Sequence, residues 1–166
     1  NGLMIRGVWV TIWLSIISMF IGLTLGIIAA LMKMYGNRIS RYVAEFYIWL
    51  FRGTPILIQL VIIYTGLPQL GIRFNVIESC ILGLALNEGA YLAEIIRAGI
   101  MSVDKGQEDA SRAVGMNWRE RMWWVILPQA TRTIIPPLGN QFNGMLKTTS
   151  LCSVISMQEL MRSAQM

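Results

Sequence analysis

The 166-residue chain contains no histidine. That removes the side chain most used as a general base near neutral pH, and the commonest metal ligand with it. Cysteine is nearly absent: Cys80 and Cys152 stand far apart in apolar surroundings and read as two small buried hydrophobes, not as a disulfide or a metal site. Charge is also scarce, at 14% of residues, where soluble domains carry about 25%. No G-x-x-x-x-G-K-S/T loop occurs, so the chain has no ATP site of that kind, and no internal repeat or low-complexity segment is present.

What is present is apolar. Hydrophobic residues make up 55% of the chain, and 14 Lys and Arg against 9 Asp and Glu leave a formal charge of +5. The positive residues gather in short loops between apolar runs. That is the pattern of cytoplasmic loops in a membrane protein, not of a nucleic-acid-binding face. The chain begins without methionine and stops at RSAQM just after a polar stretch, so it is expected to be a piece of something longer.

Val8 to Met32 holds no charge over 25 residues. At 1.5 Å per residue it reaches roughly 37 Å, enough to cross a hydrocarbon core with some tilt. It is longer than a signal-peptide core and lacks a small-residue cleavage site, so it reads as a first span, 8–32. Gly22 and Gly26 stand four apart, a spacing that suits either close helix approach or a lipid-facing surface. The loop KMYGNRISR carries Lys33, Arg38 and Arg41 and no acid, which places it in the cytoplasm and the N-terminus outside. An amphipathic stretch at the inner interface follows. A second span is then expected over 54–67, with Thr54 as N-cap and Pro55 in its first turn. After the short outer turn PQLGIRFN comes a third span, 76–101, in which Ala85, Gly89 and Ala93 form a small-residue stripe for helix packing. A fourth, 133–151, is expected to be interrupted by Pro136, Pro137, Gly139 and Gly144, and therefore to lie inside a bundle. The tail SVISMQELMRSAQM is too polar to span and reads as an outer-side helix or turn.

The loop over 102–131 carries the densest local signals. Asp104-x-x-Gln107 has capping-box spacing, Glu108 and Asp109 fall in the first turns, and Gly115 supplies a left-handed stop. Asn117-x-x-Glu120 repeats the spacing and opens a second helix, whose Trp123 and Trp124 suit the membrane interface before a Leu127-Pro128 stop. Ala110, Ser111 and Ala113 leave the first helix a small-residue face. By itself that face fits a dock for another protein or a surface helix tying two spans together.

Asp109-Ala110-Ser111, Gly115 after three residues and Val125-x-Leu127-Pro128 after nine resemble the E-A-A-x3-G-x9-I-x-L-P signature of permease subunits of binding-protein-dependent ABC importers. FRGTPILIQL, NEGAYLAEIIRAGI, VILPQA and LKTTSL resemble the polar amino acid branch of that family, which carries histidine, glutamine, arginine or glutamate. The resemblance implies an all-α membrane protein, a multi-span bundle of the type I ABC importer kind, in the bacterial inner membrane. It also implies a fifth span beyond the point where this chain ends. Its loop would act as a coupling helix docked on a separate ATPase dimer, which would bind the ATP and Mg, so this chain would need no cofactor and would be no enzyme. Lys105, Gly106, Gln107, Glu108, Asp109, Ala110, Ser111, Arg112 and Gly115 would form the docking surface. A second permease subunit, identical or homologous, an extracytoplasmic amino-acid-binding protein and membrane lipid are the other implied partners.

Glu88 sits near the middle of the third span, where a charge costs about 2.5–3.5 kcal/mol. With Asn87 and Tyr91 close by, it reads either as a ligand for an amino acid's ammonium group or as a neutral carboxyl locking helices together. Glu94 and Arg97 are expected to pair with each other. In the fourth span, Thr148 and Ser150 offer hydroxyls, and Lys147 can meet a carboxylate or snorkel to the interface. Relatives often carry an acid at position 148, so Thr148 argues against cationic substrates unless Glu88 supplies the acid. An intramembrane enzyme lacks any nucleophile–base constellation here. An ion channel or another non-ABC transporter is the alternative, and it would not need a capped cytoplasmic helix.

Overall fold

A computed structural model describes residues 2–152 and Ser156. The tail expected as an outer helix or turn lies outside them except for Ser156. The described residues are nearly all helical, with no strand among them. In chain order the helices are α1 (Gly2–Tyr35), α2 (Arg38–Gly53), α3 (Ile56–Val61), α4 (Val76–Met101), α5 (Lys105–Ala113), α6 (Trp118–Glu120) and α7 (Leu127–Thr148). A π-helical turn over Ile62–Gly66 and a 3-10 turn over Leu67–Leu70 extend α3. A second π-helical segment, Arg121–Ile126, joins α6 to α7.

The spine is α1 against α4. An added Cβ on Gly22 would stand 3.0 Å from Glu88 Cβ and 3.2 Å from the Ala85 carbonyl oxygen. One on Gly26 would stand 2.8 Å from Leu92 Cβ and 3.1 Å from the Ala93 nitrogen. The two glycines therefore face the Ala85–Gly89–Ala93 stripe, not lipid, and bring the backbones together as small residues do in membrane interfaces. The contacts advance together along both helices, from Leu14 with Cys80 and Leu84 to Ala29 and Ala30 with Ala93 and Ile96, so α1 and α4 run parallel. In α7 the order reverses: Ala130 packs near Ile96 and Ile100, and Met145 near Leu92. This helix runs antiparallel to the other two.

Two helical stretches, Val8–Tyr35 and Val76–Met101, are long and apolar enough to cross a membrane. Arg38–Gly53 with Ile56–Leu70, bent by 106° at their break, makes a third if the pair counts as one span. The expected N-cap at Thr54 is corrected: Thr54 closes the C-terminal end of α2, and Pro55 occupies the N-cap of α3. The Thr54 hydroxyl donates back to the Leu50 carbonyl at 2.7 Å, so it serves the helix behind it.

The expected interruption of 133–151 is also corrected. Helix α7 runs unbroken through Pro136 and Pro137, and Pro128 lies in its first turn, so Leu127-Pro128 is an entry and not a stop. Proline is tolerated at a first turn, where its missing N–H has no partner to lose. Deeper in the helix, Ile134, Leu138, Phe142 and Met145 hold the segment against the other helices despite the lost bonds. Only that face is covered. Arg132, Pro136, Asn140, Asn143 and Lys147 are exposed, so within this chain α7 is a rim helix and not an interior one.

Candidate functional site

The charged loop folds as a capped helix on the surface at the end of α4. The Asp104 carboxylate accepts from the Gly106 N–H at 2.6 Å. Gln107 does not return the bond, so the expected box at this end is a simple N-cap; Gln107 Oε1 instead accepts from Gln129 Nε2 of α7 at 3.2 Å. At the other end Gly115 adopts φ +82°. Its N–H donates to the Arg112 carbonyl at 2.9 Å, and the Met116 N–H donates to Ser111 at 3.1 Å. This is a Schellman closure, which a residue with a Cβ would strain. The box at Asn117 and Glu120 is complete, with the Asn117 N–H donating to Glu120 at 2.8 Å and the Glu120 N–H returning at 3.0 Å.

Lys105, Gly106, Gln107, Asp109, Ala110 and Arg112 are exposed along α5. Ser111 is buried against the chain's own body, its hydroxyl donating to the Glu108 carbonyl at 2.7 Å. Glu108 is half-buried and accepts from Arg112 at 2.6 Å, an exposed i,i+4 pair worth a few tenths of a kcal/mol. Beneath the helix lies a cleft of about 260 Å³, lined in part by Met34, Tyr35, Lys105, Glu108, Trp118 and Arg121. Tyr35 meets Trp118 edge-on at 5.4 Å between ring centres, so the end of α1 braces the start of α6.

Deeper in the bundle the three neighbours on α4 serve three different partners. Glu88 is 6% exposed, packed between α1 and α7. Gln141 of α7 stands beside it, and Glu88 Oε2 is buried without a partner among the described residues. Asn87 donates to the Phe51 carbonyl at 3.1 Å and to Gln59 Oε1 at 3.1 Å. The Tyr91 ring lies under the Arg52 guanidinium, 5.4 Å from Cζ to the ring centre. Thr148 and Ser150 turn back on their own helix, donating to Gly144 at 3.0 Å and Lys147 at 2.6 Å. Thr148 lies two turns beyond Gln141, about 10 Å along α7, so it does not join Glu88 in one cluster.

Glu94 forms the expected pair with Arg97, at 2.9 Å, and Lys33 of α1 meets its other carboxyl oxygen at 2.7 Å. Sequence reasoning missed Lys33 here, and it missed Gln59 and Arg52. Gln59 is the lone polar residue in the apolar run ILIQLVII, a signal for a buried amide with a structural task. Its Nε2 donates to the Phe51 and Thr54 carbonyls, both at 3.0 Å, and to the Thr54 hydroxyl at 2.7 Å. Cys80 and Cys152, distant in sequence, pack in one apolar cluster as free thiols.

Residues 22–166 match the family described as "Binding-protein-dependent transport system inner membrane component". The chain is similar to the arginine transport system permease protein ArgU of Corynebacterium glutamicum, 47% identical over 87% of this chain and 50% of that protein. It is similar to the L-cystine transport system permease protein TcyB of Bacillus subtilis, at 44% identity over 96% of this chain and 68% of that one. Among solved structures it resembles an amino acid ABC transporter crystallised with histidines. There the TM-score is 0.89 and the identity 44%, covering 99% of this chain and 77% of that one. The chain thus spans about half to three-quarters of the length of these relatives.

Proposed function

This chain belongs to the family of binding-protein-dependent transport system inner membrane components, and from that premise we propose that it is the permease subunit of an ATP-driven amino acid importer in a bacterial inner membrane. The relatives are named as permeases for arginine and cystine, which supports an amino acid as cargo. The observation that carries the mechanism is α5, a helix capped at both ends whose outward face is polar or small and which has little covering it in this chain.

In this reading α5 docks into a cleft on an ATPase subunit. Closure of the ATPase dimer on ATP then biases the permease pair between inward- and outward-facing states through contacts made at this helix. In this reading ATP and Mg bind to the partner ATPase and not to this chain. Force entering α5 can pass through Gln107 to Gln129 on α7, while the Tyr35–Trp118 contact ties α6, which follows α5 in the chain, to α1. Four spans in this segment, with the bent α2–α3 pair as the second and α7 as the fourth, complete the proposed topology, and the uncovered polar face of α7 suits a second permease subunit. Glu88 is the leading membrane-embedded candidate for a substrate contact, because its buried Oε2 still needs a donor. Asn87, Tyr91, Thr148 and Ser150 remain candidates whose visible bonds lie with this chain's own groups.

Affinity purification of the membrane complex tests this reading. The permease is expected to bring down a nucleotide-binding subunit, and amino acid uptake into vesicles should require ATP and an added binding protein. Uptake down a gradient without ATP would favour the channel alternative instead.

A further inference from the structure

Arg52 lies in the last turn of α2, where cations usually answer the helix's free carbonyls. Here two of the last carbonyls of the helix, those of Leu50 and Phe51, are already served by other side chains. Thr54 donates to Leu50, Gln59 to Phe51 and Thr54, and Asn87 to Phe51. No carboxylate pairs with Arg52 among the described residues either. Both oxygens of Glu94 are taken by Lys33 and Arg97, Glu88 is enclosed between α1 and α7, and no ion pair to Arg52 exists among the described residues. The guanidinium is instead exposed, laid over the face of Tyr91. Tyr91 is the sixteenth of the 26 residues of α4, so it lies only about 4 Å past the helix centre. An ionisable residue at that depth, with no anion of its own, points by default to a ligand or ion pathway.

We propose that Arg52, stacked on Tyr91, is the residue that reads the α-carboxylate of the transported amino acid. The inference rests on the importer reading above and adds to it a named contact. A guanidinium offers a planar pair of donors that matches a carboxylate bidentately. Stacking on the ring holds that plane in place without using its N–H groups. Side-chain identity would be read elsewhere, so this contact is common to any α-amino acid and fails for an α-carboxamide or a decarboxylated amine. Arg41, on the same charged face of α2 but eleven residues and roughly 16 Å nearer the loop, is the natural comparison.

The test uses the full-length permease in complex with its ATPase, solubilised without the binding protein so that only the membrane site is read. Binding of radiolabelled arginine, histidine and cystine is measured, with the α-carboxamide of the best ligand as competitor. The wild type is expected to prefer the acid over the amide by at least about tenfold, in line with loss of a charged hydrogen-bonding pair. In Arg52→Gln that preference should vanish and affinity fall by a similar factor. Arg52→Lys should keep part of it, and Arg41→Gln all of it. Matched thermal unfolding of the variants excludes misfolding as the cause. An Arg52→Gln complex that retains the acid preference overturns the inference, as does a complex that imports an amino acid but shows no Arg52-dependent binding. Loss of bound anionic phospholipid in Arg52→Gln, with substrate binding intact, assigns the guanidinium to a lipid phosphate and also overturns it. A wild-type complex that imports no amino acid sinks the importer reading itself.

Discussion

Gln129 of α7 donates from Nε2 to the side-chain carbonyl oxygen of Gln107 on α5, at 3.2 Å. The same Nε2 also reaches the Val125 carbonyl at 3.0 Å, so the residue is anchored in its own helix while holding the surface helix. The bond therefore joins the proposed docking surface to a helix of the bundle. Gln129→Ala is expected to lower amino acid imported per ATP hydrolysed by about 2- to 10-fold, the range a bond of 0.5–1.5 kcal/mol supports. ATPase assembly should be unchanged. Paired hydrolysis and uptake assays in proteoliposomes check this; an unaltered ratio excludes the bond from transmission.

The α1–α4 seam gives a stability prediction. A valine at Gly26 would push into Leu92 Cβ and the Ala93 backbone, and backbone cannot step aside as a flexible side chain can. Gly26→Val should destabilise the protein by about 1–3 kcal/mol. Gly144→Ala, where an added Cβ meets nothing within 4 Å, should leave Tm unchanged or slightly raised. Thermal unfolding of the detergent-solubilised protein distinguishes the two sites.

Asn87 tests whether a polar residue beside Glu88 is scaffold or substrate ligand. Its amide crosses to the corner between α2 and α3, where Gln59 is buried. Removing it leaves the Gln59 oxygen short of its donor, at a cost of about 1–3 kcal/mol. Asn87→Ala is therefore expected to lower Tm while the KM for uptake stays near the wild-type value. A raised KM at unchanged Tm would reverse that assignment.

Glu88→Gln keeps the shape of the side chain and removes its ability to ionise. If the carboxylate receives an ammonium group, uptake should fall by about tenfold or more, as when a charged partner is lost, while the ATPase stays docked. Uptake equal to the wild type would leave Glu88 as a buried carboxyl that locks helices together.

The parts of this fold legible in the sequence are those governed by local or one-dimensional rules. The charge-free run from Val8 and the stripe at Ala85, Gly89 and Ala93 announced α1, α4 and their close packing, because helix periodicity places four-apart residues on one face. The box at Asn117 was readable because both of its bonds lie within four residues. What escaped was set by partners distant along the chain. Gln107 had the right spacing for a box but faces Gln129, 22 residues on. Thr54 looked like a cap for the helix ahead, and the competition with Leu50 behind it was invisible. Lys33 reaches Glu94 across 61 positions, a pairing no local pattern encodes. The prolines of α7 misled for the same reason, since packing against α1 and α4 outweighs their local penalty. In the candidate site, Glu88 and the α5 cap were visible as anomalies, whereas Arg52 became one only once its neighbours were placed.

The central claim is that α5 receives the force of ATPase closure, and the ratio of ATP hydrolysed to amino acid imported tests it most directly. Asp109 is exposed on α5, and Gly115 closes that helix at φ +82°, where a β-branched residue is strained. Reconstituted with ATPase and binding protein, Asp109→Lys and Gly115→Val are each expected to raise that ratio by about tenfold or more, a coupling loss of 1–2 kcal/mol. Both variants importing at the wild-type ratio would contradict the account.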